Sequence, residues 1–341
     1  MGKAAIYNPY LNTLGGGERY SLSFAKALAD NGWVVDVEWK DNSIKEKLEQ
    51  RLGMDLSKVN FVSDVKKGSG YDLCFWVSDG SIPLLHSRKN FLHFQVPFHD
   101  VDGRSLFNRM KLFRINKIIC NSKFTKNVID QEFGVDSIVL YPPIDVSKIK
   151  PRRKENIILY VGRFSKLVQS KRQDILITAF KKFSKKVSGW KLILAGGSDV
   201  GGREFVQELR EKSKGYDIEI LEGVDFKILV ELYGKARFFW SASGFGVNEK
   251  KNPEQVEHFG ITIVEAMAGG AVPLVYNAGG GKEIINNGKD GFLWNSVNQL
   301  VKKTEELINN SGSCREVSRN AVEKSKLFGN EKFNKEILAL L

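Results

Sequence analysis

The sequence predicts an α/β protein built from two doubly wound domains, and three observations carry that reading. Its 341 residues are long for one compact domain and comfortable for two. Short apolar runs alternate with amphipathic stretches in two separate series, the pattern of strand, helix, strand units with right-handed crossovers between parallel strands. Between the series lies "YPPIDVSKIKPRRKEN" (141–156), where three prolines and a basic run interrupt the alternation as a linker would. The expected division is 1–150 for an N-terminal domain, 151–325 for a C-terminal domain, and 326–341 for a last helix packing back on the first.

The first series opens with "KAAIYN" (3–8), a strand. A helix is expected from about Glu18 to Asp30, stopped by Asn31 and Gly32, and "WVVDVEW" (33–39) is the next strand. "YDLCFWV", "NFLHFQV", "KIICN" and "SIVLY" supply further strands before the linker. The second series runs "IILYVG", helix 173–187, "KLILAGG", helix 203–214, "DIEIL", helix 226–236, "RFFWSA", helix 261–269, "AVPLVY" and "GFLW", and the remainder reads as charged helix. In open parallel sheets ligands bind at the carboxyl ends of the strands, so the loops that follow strands are where chemistry is sought, and with two such domains the expected site is a central cleft.

Composition narrows the function. No apolar run reaches the roughly 18–20 residues of a membrane span, and "MGKAAIYNPY" lacks a signal-peptide pattern, so a cytoplasmic protein is expected. Cys74, Cys120 and Cys314 form no Cys-x-x-Cys pair and read as buried thiols, while His86, His93, His99 and His258 lack zinc-site spacing. The net charge of +12 is shared by both halves and suits nucleic acid, a membrane surface or phosphorylated substrates. It is densest in 104–128, with Arg104, Arg109, Lys111, Arg114, Lys117, Lys123, Lys126 and no acid. There Leu106, Phe107, Met110 and Phe113 interleave at helical spacing. Two readings stand: a helix with a core face and a solvated basic face, or an amphipathic segment making a peripheral membrane contact.

Four loops at strand ends carry the candidate chemistry. Gly15, Gly16 and Gly17 open a helix, so they form either a tight turn or a set of amides facing an anion. They do not spell a dinucleotide fingerprint, because the third glycine of that motif would fall on Tyr20. Arg163 follows directly on a strand and Lys171 comes eight residues later, two cations suited to a diphosphate whose charge grows as a bond to it breaks. In "EHFGITIVEAMAGG" the amides of Phe259, Gly260, Ile261 and Thr262 can hold phosphate oxygens. Glu265 in that helix suits ribose hydroxyls and Glu257 suits sugar hydroxyls; alternatively Thr262 and Glu265 form a capping box and Glu257 is a surface charge. Gly279, Gly280 and Gly281 again follow a strand.

These loops, taken in order with "EAMAGGAVPLV" and "GGGKEIINNGKDGFL", resemble over almost the whole chain the retaining glycosyltransferases of the GT4 family, whose fold is GT-B, two Rossmann-like domains facing a cleft. "LGGGERY" with "EHFGITIVEAMA" is similar to the mannosyltransferases that use GDP-mannose on a dolichol-linked oligosaccharide. The resemblance implies a nucleotide-diphosphate sugar as co-substrate, with GDP-mannose favoured and a UDP-sugar as the other option. It places Arg163 and Lys171 on the diphosphate, Glu265 on the ribose, Glu257 near the donor sugar, and Gly16 and Gly17 on the diphosphate from the N-terminal domain. It implies an active-site histidine at a strand end, His93 being preferred to His99. No cofactor is implied, and front-face attack would retain configuration without a metal, although Asp100-Val-Asp102 matches the D-x-D pattern of metal-using transferases. The acceptor would be a glycan or a lipid-linked glycan. The loop "SGFGVNEKKNPEQ" (243–255) departs from the family pattern and would shape a pocket. A competing reading is a non-catalytic basic protein holding nucleic acid or an anionic membrane; the lack of a helix-turn-helix or zinc signature speaks against nucleic acid.

Overall fold

The computed structural model of the chain describes residues 2–13, 16–41, 43–166, 169–198 and 202–341. Gly15, one of the expected anion-facing glycines, lies outside the described residues. The chain forms two units, the first running up to Pro143 and taking in Asn330–Leu341, the second covering Ile144–Gly329.

The first unit holds seven parallel strands: β1 (Lys3–Tyr7), β2 (Val34–Glu38), β3 (Val59–Val62), β4 (Leu73–Val77), β5 (Lys89–Phe94), β6 (Lys117–Cys120) and β7 (Ile138–Val139). Their order is β3-β2-β1-β4-β5-β6-β7. The crossover helices are α1 (Gly16–Asp30), α2 (Ile44–Leu52), α3 (Leu106–Leu112) and α4 (Lys123–Phe133). α1 presents Tyr20, Phe24 and Leu28 to Ile6, Val35, Val37 and Phe75 of the sheet, one apolar face at helical spacing against strands apolar on both faces.

The second unit has β8 (Glu155–Val161), β9 (Lys191–Gly196), β10 (Ile218–Glu222), β11 (Ala236–Ser241), β12 (Val272–Tyr276) and β13 (Phe292–Trp294), ordered β10-β9-β8-β11-β12-β13 and all parallel. Its helices are α5 (Gln173–Ser184), α6 (Gly202–Ser213), α7 (Phe226–Lys235), α8 (Ile261–Ala268), α9 (Gly281–Ile284), α10 (Val297–Asn309) and α11 (Ser311–Ser325). α12 (Asn330–Leu340) then contributes Phe333 and Ile337 to the core of the first unit, where Phe333 meets the Tyr20 ring edge-on at 5.3 Å.

The structure departs from the sequence reading in three places. The boundary lies after Pro143 and not at 150, because Ile144 donates its amide to the Phe328 carbonyl at 2.9 Å and Ile144 and Ile149 are buried. Residues 326–329 accordingly stay with the second unit, and only Asn330 onward joins the first. α3 inverts the expectation of a core face: none of its residues is buried, and Leu106, Phe107 and Met110 all point to solvent.

Candidate active site

In a doubly wound sheet the strand order reverses at one point, and the loops leaving the two central strands there diverge to form a crevice. In the second unit that point lies between β8 and β11. The loop after β8 carries Arg163 and Lys171, and the loop after β11 carries Glu257 and leads into α8. Topology therefore brings together residues 86 positions apart, and the Lys171 ammonium donates to Glu257 Oε2 at 2.9 Å.

The pair is well enclosed, with side chains 12% and 17% exposed. Burial would push the Glu257 carboxyl up, but the Lys171 charge and hydrogen bond outweigh it, and His258 and Ser243 add to them, so the group sits below its ordinary value of 4.5 and is ionised at neutral pH. Gln169 steadies the lysine, accepting from Lys171 Nζ at 2.9 Å while its own amide donates to the Val256 carbonyl at 2.8 Å. Ser243 bonds Glu257 and stands 3.5 Å from the Tyr160 hydroxyl. Gln169, Ser243 and Tyr160 were not anticipated, since polar residues scattered over three segments carry no spacing signal. Glu257 is thus the centre of a charged network, and the surface-charge reading is set aside. Arg163 is exposed at the mouth of the same loop, and its carbonyl accepts from Gln173 at 2.9 Å.

α8 begins at Ile261 with Gly260 as its N-cap at φ 112°. That left-handed conformation favours glycine, and a Cβ there would also lie 2.7 Å from Ile263. The first amide to bond within this turn is that of Ile263, which donates to the Gly260 carbonyl, so the amides of Ile261 and Thr262 precede the helical ladder and point outward from a positive helix end. Phe259 is buried and packs at 5.5 Å on Phe328, fixing the entry to the helix. Glu265 lies in the second turn, 6% exposed, and accepts from the Tyr233 hydroxyl at 2.7 Å. With Gly260 and not Thr262 at the cap, the capping-box reading fails.

The glycine loop before α9 is braced from within the protein. The Gly279 amide donates to Glu249 at 2.6 Å and the Gly280 amide to the Glu257 carbonyl at 2.6 Å, so these donors brace the protein and are not offered to a phosphate. Glu249 also bonds Lys282, which ties the 243–255 loop to α9. Arg172 holds its other end, donating to Asp174 through two bonds and to the Phe245 carbonyl at 2.6 Å.

In the first unit Gly16 and Gly17 are the opening residues of α1. His93 lies inside the first unit. Its ring is fully buried at the end of β5, stacked on Tyr20 at 4.1 Å and on Phe75 at 5.3 Å, with Nδ1 facing the Ile119 carbonyl. Burial drives its pKa down to about 3, so the ring is neutral. His99 is bonded to Asp100 at 2.8 Å. The Asp100-Val-Asp102 stretch wraps the Glu132 carboxylate, which accepts from the amides of Asp100, Val101 and Gly103.

Two doubly wound parallel domains, with cations and open amides where one sheet reverses, define the GT-B class of sugar-transfer folds. The chain belongs to the family described as glycosyl transferases group 1, whose pattern matches residues 144–324. It is 27% identical over 238 residues to the GDP-Man:Man(3)GlcNAc(2)-PP-Dol alpha-1,2-mannosyltransferase of Dictyostelium discoideum, a match covering 65% of this chain and 46% of that protein. The chain thus spans less than half the length of that relative. An uncharacterized glycosyltransferase of Haemophilus influenzae is 25% identical over the full length of both. Among solved structures, HepE of Anabaena in complex with UDP superposes with a TM-score of 0.73 at 18% identity, covering 99% of each chain.

Proposed function

We propose that the protein moves a hexosyl group, mannosyl from GDP-mannose in the first instance, to a glycan or lipid-linked glycan with retention of configuration and without a metal. The observation that carries this is the enclosed Lys171–Glu257 pair beside the open first turn of α8. In this reading the amides of Ile261 and Thr262, with Lys171 and Arg163, bind the diphosphate. The bond from the sugar's anomeric carbon to the diphosphate oxygen breaks, and the acceptor oxygen bonds that carbon on the same face. The acceptor's proton passes to the departing diphosphate, whose growing charge the cations stabilise. Glu257, held ionised by Lys171, accepts hydrogen bonds from donor-sugar hydroxyls and is not a proton donor. His93 is given no contact with substrate. The choice of GDP-mannose rests on the mannosyltransferase relative; UDP is the ligand named for HepE.

A thermal-shift series with GDP, UDP, ADP, dTDP and their sugar conjugates tests the donor. A ligand at about 100 times its Kd adds about 2.7 kcal/mol, a rise of several degrees for units of this size. The expected result is a rise with GDP and GDP-mannose in the presence of a chelator. A rise with UDP alone would replace the base, and dependence on a divalent ion would overturn the metal-free mechanism. The anomeric configuration of the product, read by NMR, decides retention.

Glu265→Gln keeps the volume and the Tyr233 contact but removes the charge offered to the ribose. Hydrogen bonds to charged groups contribute about 1.5–3 kcal/mol, so KM for the donor should rise roughly tenfold or more with kcat less affected. Unchanged donor KM would end the ribose assignment.

A further inference from the structure

α3 is anchored on one side only. Leu112 and Ile115 pack against the cluster of Ile82, Leu92, Phe94 and Phe133, Ser105 caps the helix by accepting from the Asn108 amide, and Asn108 donates to the Asp102 carbonyl. With about 100° between successive helical residues, the side of the helix away from this anchor carries Leu106, Phe107, Met110 and Phe113. Their exposures are 77, 67, 63 and 91%. The other large apolar side chains on the surface are separated along the chain, as is ordinary; four within eight residues are not.

Charge frames this face. The same angular spacing puts Arg109 on one flank of the apolar stripe and Lys111 on the other, where its ammonium lies 4.2 Å from the Phe107 ring centroid. Arg104, Arg114 and Lys117 are exposed close by in sequence, and residues 103–129 contain no acid. Of the acids bordering this stretch, Asp130 bonds Lys126 at 2.6 Å, Glu132 accepts from three backbone amides and Asp100 bonds His99, while Asp102 is exposed beside Gly103.

We infer that α3 with its flanks docks on an anionic lipid surface, its axis in the plane of the interface. Phe107, Met110, Leu106 and Phe113 enter the boundary between headgroups and acyl chains, while Arg109 and Lys111 lie at phosphate level on either side. An outward apolar stripe flanked by cations is the arrangement that binds such an interface, combining buried apolar area with attraction to negative headgroups. A protein partner would match the apolar stripe equally well, but the acid-free basic surround favours a surface of high negative charge. This inference goes beyond the transferase reading and does not depend on it.

The test is co-sedimentation of the full chain with vesicles of neutral phosphatidylcholine and with vesicles containing about a third phosphatidylglycerol. The two are compared for the wild type, the Phe107→Ser/Phe113→Ser variant and the Arg109→Gln/Lys111→Gln variant. Wild type is expected to bind the anionic vesicles about tenfold more than the neutral ones, and less so at high salt. The aromatic variant should lose that binding with its melting temperature unchanged, because neither ring belongs to the core, and transfer to a water-soluble acceptor should be unaffected. The cationic variant should lose the preference for anionic lipid. Equal binding by wild type and the aromatic variant, or no binding by wild type, overturns the inference. A wild-type dimer that the aromatic variant turns into a monomer, without vesicle binding, overturns it in favour of a contact between copies of the chain.

Discussion

Lys171→Ala is expected to lose both transfer activity and stability. Removing one partner of an enclosed ion pair strands the other charge, which costs about 3–5 kcal/mol when burial is complete; the residual exposure of Lys171 and Glu257 brings the expectation to about 2–3 kcal/mol. Loss of a cation that stabilises a leaving diphosphate should lower kcat roughly a hundred- to a thousandfold. The two effects separate in Lys171→Met/Glu257→Gln, which removes both charges at once. That variant should regain most of the melting temperature and none of the activity. If it regains activity as well, the pair is a structural strut and the catalytic assignment falls. The sign of the pH dependence follows from the depressed Glu257 carboxyl. The pair's contribution is present above the ordinary value of 4.5 and is lost as pH falls through the lower folded value, so the gap in melting temperature between wild type and the double variant should close in acid.

Gly280→Ala is the second large effect. A Cβ at this position would stand 2.0 Å from the His258 carbonyl oxygen and 2.5 Å from its carbon. Both are backbone atoms, so no side chain can swing aside, and the loop bearing Glu257 must move. We expect a loss of about 2–4 kcal/mol in stability, in the range for overpacked sites that force backbone shifts. Because the Gly280 amide also holds the Glu257 carbonyl, kcat should fall by about a hundredfold, as misplacement of about 1 Å does to oriented groups. A melting curve and a turnover assay on the one variant check both. Wild-type turnover would mean that the position of Glu257 does not matter to the reaction.

Much of the fold was legible because parallel strands covered on both faces read as continuous apolar runs. "KLILAGG" and "RFFWSA" needed no further context, and these two interior strands of the second sheet, β9 and β11, fell where their runs stood. What was missed is weakly patterned. α2 is short and charged, with Ile44, Leu48 and Leu52 its three apolar residues, and β3 is four residues long. The proline and charge cluster marks a linker in the sequence, yet the Ile144 amide ties it to the Phe328 carbonyl of the second unit, far along the chain. The candidate site was legible only as loops at strand ends. That Lys171 and Glu257 would touch follows from the strand reversal, which no local spacing encodes, and the commitment of the Gly279 and Gly280 amides to Glu249 and Glu257 could not be seen from a run of glycines. α3 shows the limit most simply. Helical spacing reveals that an apolar stripe exists and says nothing of whether it turns inward or outward.

The packing of α12 sets the order in which the chain can mature. The first sheet is complete in sequence by Val139, but Phe333 and Ile337, which cover Tyr20 of α1, are synthesised only after the whole second unit. At translation rates of about 5–20 residues per second, the apolar face around Tyr20 waits on the order of ten seconds or more for its cover. During that interval the N-terminal half lacks the helix that covers Tyr20. Its last contact has one of the longest sequence separations the chain allows, so closure of the first unit is a late, slow event in folding and an early one in unfolding.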